Sequence, residues 1–527
     1  MKQLLFLFLL FCGVTHAQQI FSLRLEPATL TSVPAVHSGA FGIYDSTWFF
    51  IGGRTNGLHG FQPPFAFPTS GINDKIYFVN PATDQRWEQD VYSLPDSIRE
   101  PLTSSNMQFY LRDTMLYMVG GYGWKDTIQN FVTWNTLTAI NLKGLKDAVI
   151  SNQPIAPYFR QIADSVLAVC GAHLHKLDSV YYLVFGHRFD GYYDRSDTTG
   201  FHVQEYTHEI RKFQIEDDGT TLNIKNYAAV RDTANFRRRD YNLVPFLDPY
   251  KGEGLLAFSG VFQKHIDLPY LNCIEIFPDT VIVRNDFNQN LSQYHAAVGL
   301  IFDSVSFIQH NIFFGGMSMY YIDTLTGQTV TDSFVPFVQT ISDVARDVDR
   351  NYHEINAGIR MPALQGTNAY FFPDLAAPKY RHHFVHLNQL PAQQRIGYLT
   401  SGIESPELNI SFTDPSLSFA GQQVYEVYLD RVTGIATNAI INEVFNFYCY
   451  PNPVNGSAQI FFELAEPKQI KIEITDVSGK LLQVVTENVY AEGKHQLAVN
   501  VSTLPAGVYN CVLSAGKQRK AVRLIKR

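Results

Sequence analysis

The chain has little that would tie it to nucleic acid, to a membrane interior or to a disulfide-held scaffold. Its 527 residues include five cysteines, 17% are charged, and the net charge is -8. No basic stretch in the body could neutralise a run of phosphates, which argues against nucleic acid as a partner. The mild acidity is that of an ordinary soluble surface and identifies no charged protein partner. Beyond the N-terminal segment no stretch is apolar for 18 residues, so the mature chain carries no transmembrane helix. Apart from Cys12, the cysteines Cys170, Cys273, Cys449 and Cys511 are too few for a disulfide framework. Cys449 and Cys511 stand in one small region where they could pair, and their apolar surroundings fit buried free thiols equally well. Helical periodicity is scarce, with Thr340–Arg350 the best candidate for a short surface helix. The sequence has no Gly-x-Ser-x-Gly elbow, no Walker loop and no His-Glu-x-x-His helix.

What the chain has is β-pattern. It is 46% hydrophobic and 14% aromatic, and it is long enough for one large and one small domain. Residues 1–17 read as a secretory signal: Lys2, a continuous apolar run from Leu4 to Phe11, then Thr15-His16-Ala17 before a cut. Bulky Phe11 before Cys12 is wrong for a lipid-anchor site. Between His37 and Trp87 the apolar run Trp48-Phe49-Phe50-Ile51 ends in Gly52-Gly53, and an alternating run, Lys75 to Asn80, leads through Pro81-Ala82-Thr83-Asp84 to Trp87. Glycine-terminated apolar strands then recur, ending at Gly121, Gly186, Gly260, Gly316 and, more weakly, Gly402. Each is preceded by a strand and a polar turn, and each is followed by a variable loop and an alternating run such as Glu209–Ile215 or Asn272–Phe277.

The diglycine, Tyr77 in the next strand, the Asn-Pro-x-Thr-Asp turn and Trp87 resemble a kelch motif, the sequence of one β-propeller blade. The resemblance implies an all-β kelch-like propeller. Six blades is the economical number, with five or seven open because the last unit is irregular. The spacing exceeds the roughly 50 residues of a bare kelch repeat, so loops are inserted in most blades. Pro362 to Asp430 closes the ring in this reading. Four strands there lie in GTNAYFFPDL, HHFVHLNQLP, RIGYLTSGI and VYEVYLD, with Phe21–Leu25 a candidate seal between last blade and first.

Residues 431–445 read as a linker, after which the pattern changes. Short alternating strands separated by tight turns fill residues 446–527, as in a small β-sandwich. This segment carries Tyr450-Pro451-Asn452-Pro453, the turn Asp476-x-x-Gly479-Lys480, Leu504-Pro505-Ala506-Gly507-Val508-Tyr509 and a basic final strand. It closely resembles the type A sorting domain of the Bacteroidetes type IX secretion system. The resemblance implies the secretion machinery as a partner, passage through the periplasm, and a protein that is secreted or attached to the outer-membrane surface.

Candidate site residues are scattered. Arg237-Arg238-Arg239 is the strongest positive run, a solvated loop or an anion-recognising rim, since guanidinium forks fit carboxylates and sulfates. Tyr294-His295 resembles the Tyr-His pair that ligates copper in galactose-oxidase-like kelch enzymes, with Cys170 and His173 or His175 as strained candidates for the remaining roles. His382, His383 and His386 form the densest histidine cluster, but at strand spacing His382 and His383 point to opposite faces. Asp347, Asp349 and Asn351 echo a calcium loop whose sixth and twelfth positions, Tyr352 and Gly358, are wrong. Asp217-Asp218-Gly219-Thr220-Thr221 suits a hairpin turn. The insertions Thr55–Asn73 and Gly186–Gly200 are rich in Gly, Tyr, Phe and His, suited to stacking on sugars or peptides or to packing on their own blade. With no complete catalytic constellation, the sequence favours binding of a protein or glycan by the blade loops (residues 18–430), without a cofactor. An extracellular copper oxidase or hydrolase is the alternative.

Overall fold

A computed structural model describes residues 21–431 and 444–527, except 62–64, 195–201, 324–325, 382, 451, 465–466, 477–478 and 516–517. The predicted signal segment, Cys12, His382, Pro451 and most of the predicted linker fall outside the described residues. The fold is all-β and is divided into many small sheets.

Six antiparallel sheets carry the chain from residue 21 to 431, each built on four strands. The first sheet orders Ala40–Tyr44, Thr47–Ile51, Lys75–Asn80 and Gln85–Asp90 side by side. The next four sheets repeat this order from Gln108, His173, Asn242 and Ala297 onward. In every sheet the glycine-terminated run is the second strand. Thr47–Ile51 is buried along its whole length, whereas Gln85–Asp90 at the far edge is largely exposed. Neighbouring sheets cover both faces of the second strand, so it reads as a continuous apolar run instead of an alternating one.

Each sheet packs on the next. The first and second share a core around Phe49, Phe78, Leu116 and Ile140. The second and third meet at Val119, Leu137, Leu174 and Leu183, the third and fourth at Val184, Ile210, Leu255 and Ile274. The fourth and fifth meet at Phe258 and Phe313, the fifth and sixth at Ile312, Ile341, Ile396 and Val427. The sixth returns to the first: Trp48 stacks on Phe372 at 4.2 Å, Phe41 on Tyr370 at 3.9 Å, and Gly39 N donates to Tyr370 Oη at 2.8 Å. Burying one such aliphatic or aromatic side chain is worth roughly 1.5–3 kcal/mol, so every interface contributes.

The glycines exist for these interfaces. Gly121 N donates to Val169 O of the next sheet at 2.9 Å, and Gly53, Gly186 and Gly316 make the equivalent bond. A Cβ on Gly120 would stand 2.1 Å from Val169 O, and Gly120 has φ +64. Only glycine fits that backbone and that approach.

Two expectations are corrected. Thr340–Arg346 is the third strand of the fifth sheet, not a helix, and the residues beyond it form a hairpin turn. The segment HHFVHLNQLP gives the sixth sheet no strand. Phe384–His386 instead pairs in parallel with Ile301–Phe302 of the fifth sheet, where Tyr380 stacks on Phe302 at 4.5 Å. The fourth strand of the sixth sheet is Phe21–Pro27, in register with Val424–Arg431 from Phe21↔Arg431 to Pro27↔Tyr425. The first strand therefore closes onto the last.

Residues 444–526 form two further sheets. One orders Val444–Tyr450, Ser457–Leu464 and Gly493–Asn500; the other orders Leu481–Tyr490, Lys468–Thr475, Gly507–Ala515 and Gln518–Lys526. They share one core, with Ile460, Ile472, Val499, Leu513 and Leu524 inside it. Its motif residues are fasteners. Asn452 Oδ1 accepts from Ile525 N at 2.8 Å, Lys480 N donates to Asp476 Oδ1 at 3.0 Å, and Tyr509 Oη donates to Pro505 O at 2.8 Å. Cys449 and Cys511 are buried free thiols, and the hydrogen bond that the Cys511 thiol donates to Cys449, together with burial, raises the Cys511 pKa.

Candidate ligand site at the centre of the six sheets

Just before the first strand of every sheet stands one residue with positive φ: Ser38, Asn106, Gly171, Asp240, His295 and Asn368. Hydrogen bonds link these residues around the centre. Asn106 N donates to Ser38 O at 2.8 Å, Gly171 N to Asn106 O at 3.1 Å, Asp240 N to Gly171 O at 3.0 Å, and Asn368 N to His295 O at 2.8 Å. The residue before each of them bridges to the residue that follows the strand-ending glycine: His37↔Arg54, Ser105↔Tyr122, Cys170↔His187, Arg239↔Val261, Tyr294↔Met317 and Thr367↔Ile403. Equivalent positions of six sheets thus face one another across the middle of the molecule.

They enclose a cavity of about 70 Å³, lined by His37, Arg54, Tyr122, Cys170, His187, Arg239, Asp240, Tyr294 and Ile403 among others. That volume holds a few water-sized groups. A second cavity of about 430 Å³ runs along the first strands, past Phe41, Phe109, His175, Val244, Leu300 and Phe371. Ser38, Asn106 and Asn368 belong to the walls of both.

The first cavity is charged. Arg239 Nη1 pairs with Asp240 Oδ2, and its Nε donates to Tyr206 Oη at 3.2 Å. Tyr294 Oη donates to Asp240 Oδ2 at 3.2 Å. Burial alone would raise the Asp240 pKa, but Arg239 and the other donors around it hold the carboxyl below its usual range. The Tyr294 hydroxyl is pushed well up by burial and by Asp240, and burial pushes the Cys170 thiol to about 12. Burial lowers His37 and His187 to about 3 and His59 to about 4, so these rings are neutral at physiological pH. His37 Nε2 donates to Asn56 O at 2.7 Å, and His187 Nδ1 accepts from Gln204 Nε2 at 2.7 Å.

Two inserted segments build the rim. Phe67 stacks on His59 at 4.1 Å and meets Tyr122 edge-on at 5.1 Å, so this part of the Thr55–Asn73 insertion packs inward. Leu58 N donates to Ser418 Oγ at 2.8 Å, and Asn56 bridges to Phe419, which joins the insertion to residues 405–420. Above them Phe412 contacts Phe61 and Phe334, and Phe65, Phe334 and Phe419 are about half or more exposed at 69%, 56% and 49%.

The three arginines part company. Arg239 lines the cavity. Arg238 is fully buried and braces the backbone through Asn235 O, Ser259 O and Asn272, while Arg237 lies over the Tyr206 ring and donates to Phe262 O and Gln263 O. Tyr294 and His295 also diverge. The tyrosine lines the first cavity, whereas the histidine lines the second, with its ring 5.5 Å from that of His173. Of the histidine cluster, His383 stands 5.9 Å from His175, while His386 Nε2 meets Ser304 Oγ at 2.8 Å. Asp347 is bonded to Asn351 and His353 within its hairpin, and Asp218 accepts from Thr220 N and Thr221 N in a turn. Among the described residues no group of three or more His, Cys, Asp or Glu is arranged to hold a metal ion. Arg54, Tyr122 and His187 escaped the sequence reading. Their shared mark is the position directly after the strand-ending glycine.

Residues 448–527 match the family described as a secretion system C-terminal sorting domain. This tail implies export by type IX secretion, through the periplasm to the cell surface or the medium. No curated protein matches the chain. Among solved structures the chain is similar to YjhT, with 11% identity over 76% of this chain and 95% of that one, at a TM-score of 0.39. It is also similar to PorZ, an essential bacterial surface component of the type IX secretion system of Porphyromonas gingivalis. The identity there is 11% over 93% of this chain and 75% of that one, at a TM-score of 0.16. Dimeric latent PorU from Porphyromonas gingivalis aligns at 11% identity over 73% of this chain and 37% of its own, also at 0.16. Among the described residues no helix is long and apolar enough to cross a membrane.

Proposed function

We propose that residues 21–431 form a kelch-like propeller of six blades that acts as a recognition module at the cell surface or in the medium, delivered there by the sorting tail. In this reading the ligand, a protein or a glycan, docks over the central cavity and against the rim of residues 55–73 and 405–420. The observation that carries the reading is the convergence of equivalent positions from all six sheets on one cavity with fixed charges. Rigid strands hold the anchors while inserted loops vary around them, the arrangement in which recognition generally resides. Exposed aromatic rings beside the cavity add flat contact area at low entropy cost.

Binding of the purified chain to glycan and surface-protein arrays tests the proposal. A defined class of ligand should be retained, and retention should fall when Leu58→Trp fills the cavity from its rim. Absence of any retained ligand, or retention indifferent to that substitution, would overturn it.

A further inference from the structure

Arg54 is a buried cation with no anion beside it. It is only 4% exposed, and its Nε and Nη2 donate to neutral acceptors, Asn56 Oδ1 at 2.9 Å and Pro68 O at 2.6 Å. Among the described residues no carboxylate lies within ion-pair distance of it, and Nη1 has no protein acceptor. The groups that face it are neutral: His37, His59, Tyr122, and Phe67 with its ring centroid 5.4 Å from the guanidinium carbon. Burial accordingly lowers its pKa to about 10. The second guanidinium of the cavity, Arg239, is already paired with Asp240. Two cations and one carboxylate leave the cavity one positive charge in excess. A desolvated guanidinium is unfavourable until a counter-ion joins it; its planar fork matches carboxylate and phosphate oxygens, and of the two a carboxylate carries the single charge that balances the excess.

We propose that the central cavity takes the single anionic group of its ligand, a carboxylate, with Arg54 as the anchor. Asp240, ionised beside Arg239, repels a second negative charge, so the cavity selects a monoanion over a dianion. The inference rests on the reading of this cavity as the recognition site and adds the chemistry of what enters it.

The test uses small anions that fit the space. Crystals of the full chain soaked in sodium bromide should show an anomalous peak within hydrogen-bonding distance of the Arg54 guanidinium. Acetate added to the soak should displace it, and Arg54→Met crystals soaked the same way should lose it. Bromide bound elsewhere on the wild-type surface but not beside Arg54 would overturn the proposal. So would a peak that persists in Arg54→Met. A neutral glycan retained by the wild type with no bromide in the cavity would remove the anion anchor and leave the recognition reading intact. Bromide at Arg54 with nothing retained on the arrays would keep the anion anchor and remove the recognition reading.

Discussion

The six-sheet body and the C-terminal pair of sheets are both antiparallel, yet their glycines do different jobs. In the body, strand-ending glycines touch the backbone that leads into the next sheet: a Cβ on Gly120 would meet Val169 O at 2.1 Å, and one on Gly315 would meet Gln365 O at 2.3 Å. In the tail, Gly479 at φ +87 and Gly493 at φ +113 have nothing within 4 Å of the added carbon. The body's strand-ending glycines specify how sheets meet, whereas the tail's, like Gly219 and Gly252 in the body's own hairpins, specify only how a strand turns. The regions also differ in their histidines. The body holds His37 and His187 buried and His59, His173 and His175 half-buried, all with lowered pKa, whereas the tail has one histidine, the half-buried His495.

The largest effect that separates the two regions is export. Removing residues 447–527 should leave the melting temperature of the body unchanged and abolish its appearance outside the periplasm, read by cell fractionation. Normal export of the truncated chain would dissolve the division of labour.

Next is closure. Starting the chain at Ala28 removes the ladder from Phe21 to Pro27 and takes Phe21 and Leu23 out of the core. At roughly 1.5–3 kcal/mol for each buried side chain, the loss should be roughly 3–6 kcal/mol in denaturant unfolding. The tail should be indifferent to it.

The glycine contrast gives a paired test. Gly120→Val should cost the body about 3 kcal/mol, because the side chain collides with fixed backbone. Gly479→Ala should cost the tail about 1 kcal/mol, because only the positive φ is strained. Equal effects in separate melting curves would erase the distinction.

Acid supplies the most graded difference. A histidine whose folded pKa is lowered contributes its full stability above the unfolded value near 6.5, and that stability is lost as pH falls towards the folded value. The five body histidines sit at about 3 to 4, so each withdraws up to about 1.4 kcal/mol per pH unit below 6.5. His310 works the other way. Burial lowers its pKa, but Asp343, 2.6 Å away, raises it overall, so its contribution is present at low pH and lost as pH rises. His208, His295 and His386 are lowered as well, and these eight histidines outweigh His310 and the carboxyls of Glu100, Glu354 and Glu404 that burial raises, so the body should melt progressively lower between pH 6.5 and pH 4.5 while the tail holds.

The strands that end in glycine were legible because burial on both faces leaves a continuous apolar signature, and the tail was legible from its turn residues. The strand Thr340–Arg346 was not. Ile341, Val344 and Ala345 have helical spacing, while Asp343 and Arg346, buried polar residues of the same strand, are satisfied by His310, Glu275 and Asp248. Buried ion pairs thus hide the period of two that would mark a strand. The cavity was hidden for a different reason. The positions after the glycines share geometry but not chemistry: Arg54, Tyr122, His187, Val261, Met317 and Ile403 have no residue type in common. Arg237, Arg238 and Arg239 are contiguous in sequence, yet only Arg239 reaches the cavity, because the chain there turns across the centre of the molecule.

The central claim is that equivalent positions of six sheets build one recognition cavity. Its most direct test is an affinity titration of a ligand retained on the arrays against the wild type and Leu58→Trp, with melting curves measured on the same samples. Affinity reduced about 100-fold at an unchanged melting temperature is the expected result. Equal affinity for both proteins would contradict the claim and move recognition to another face of the body.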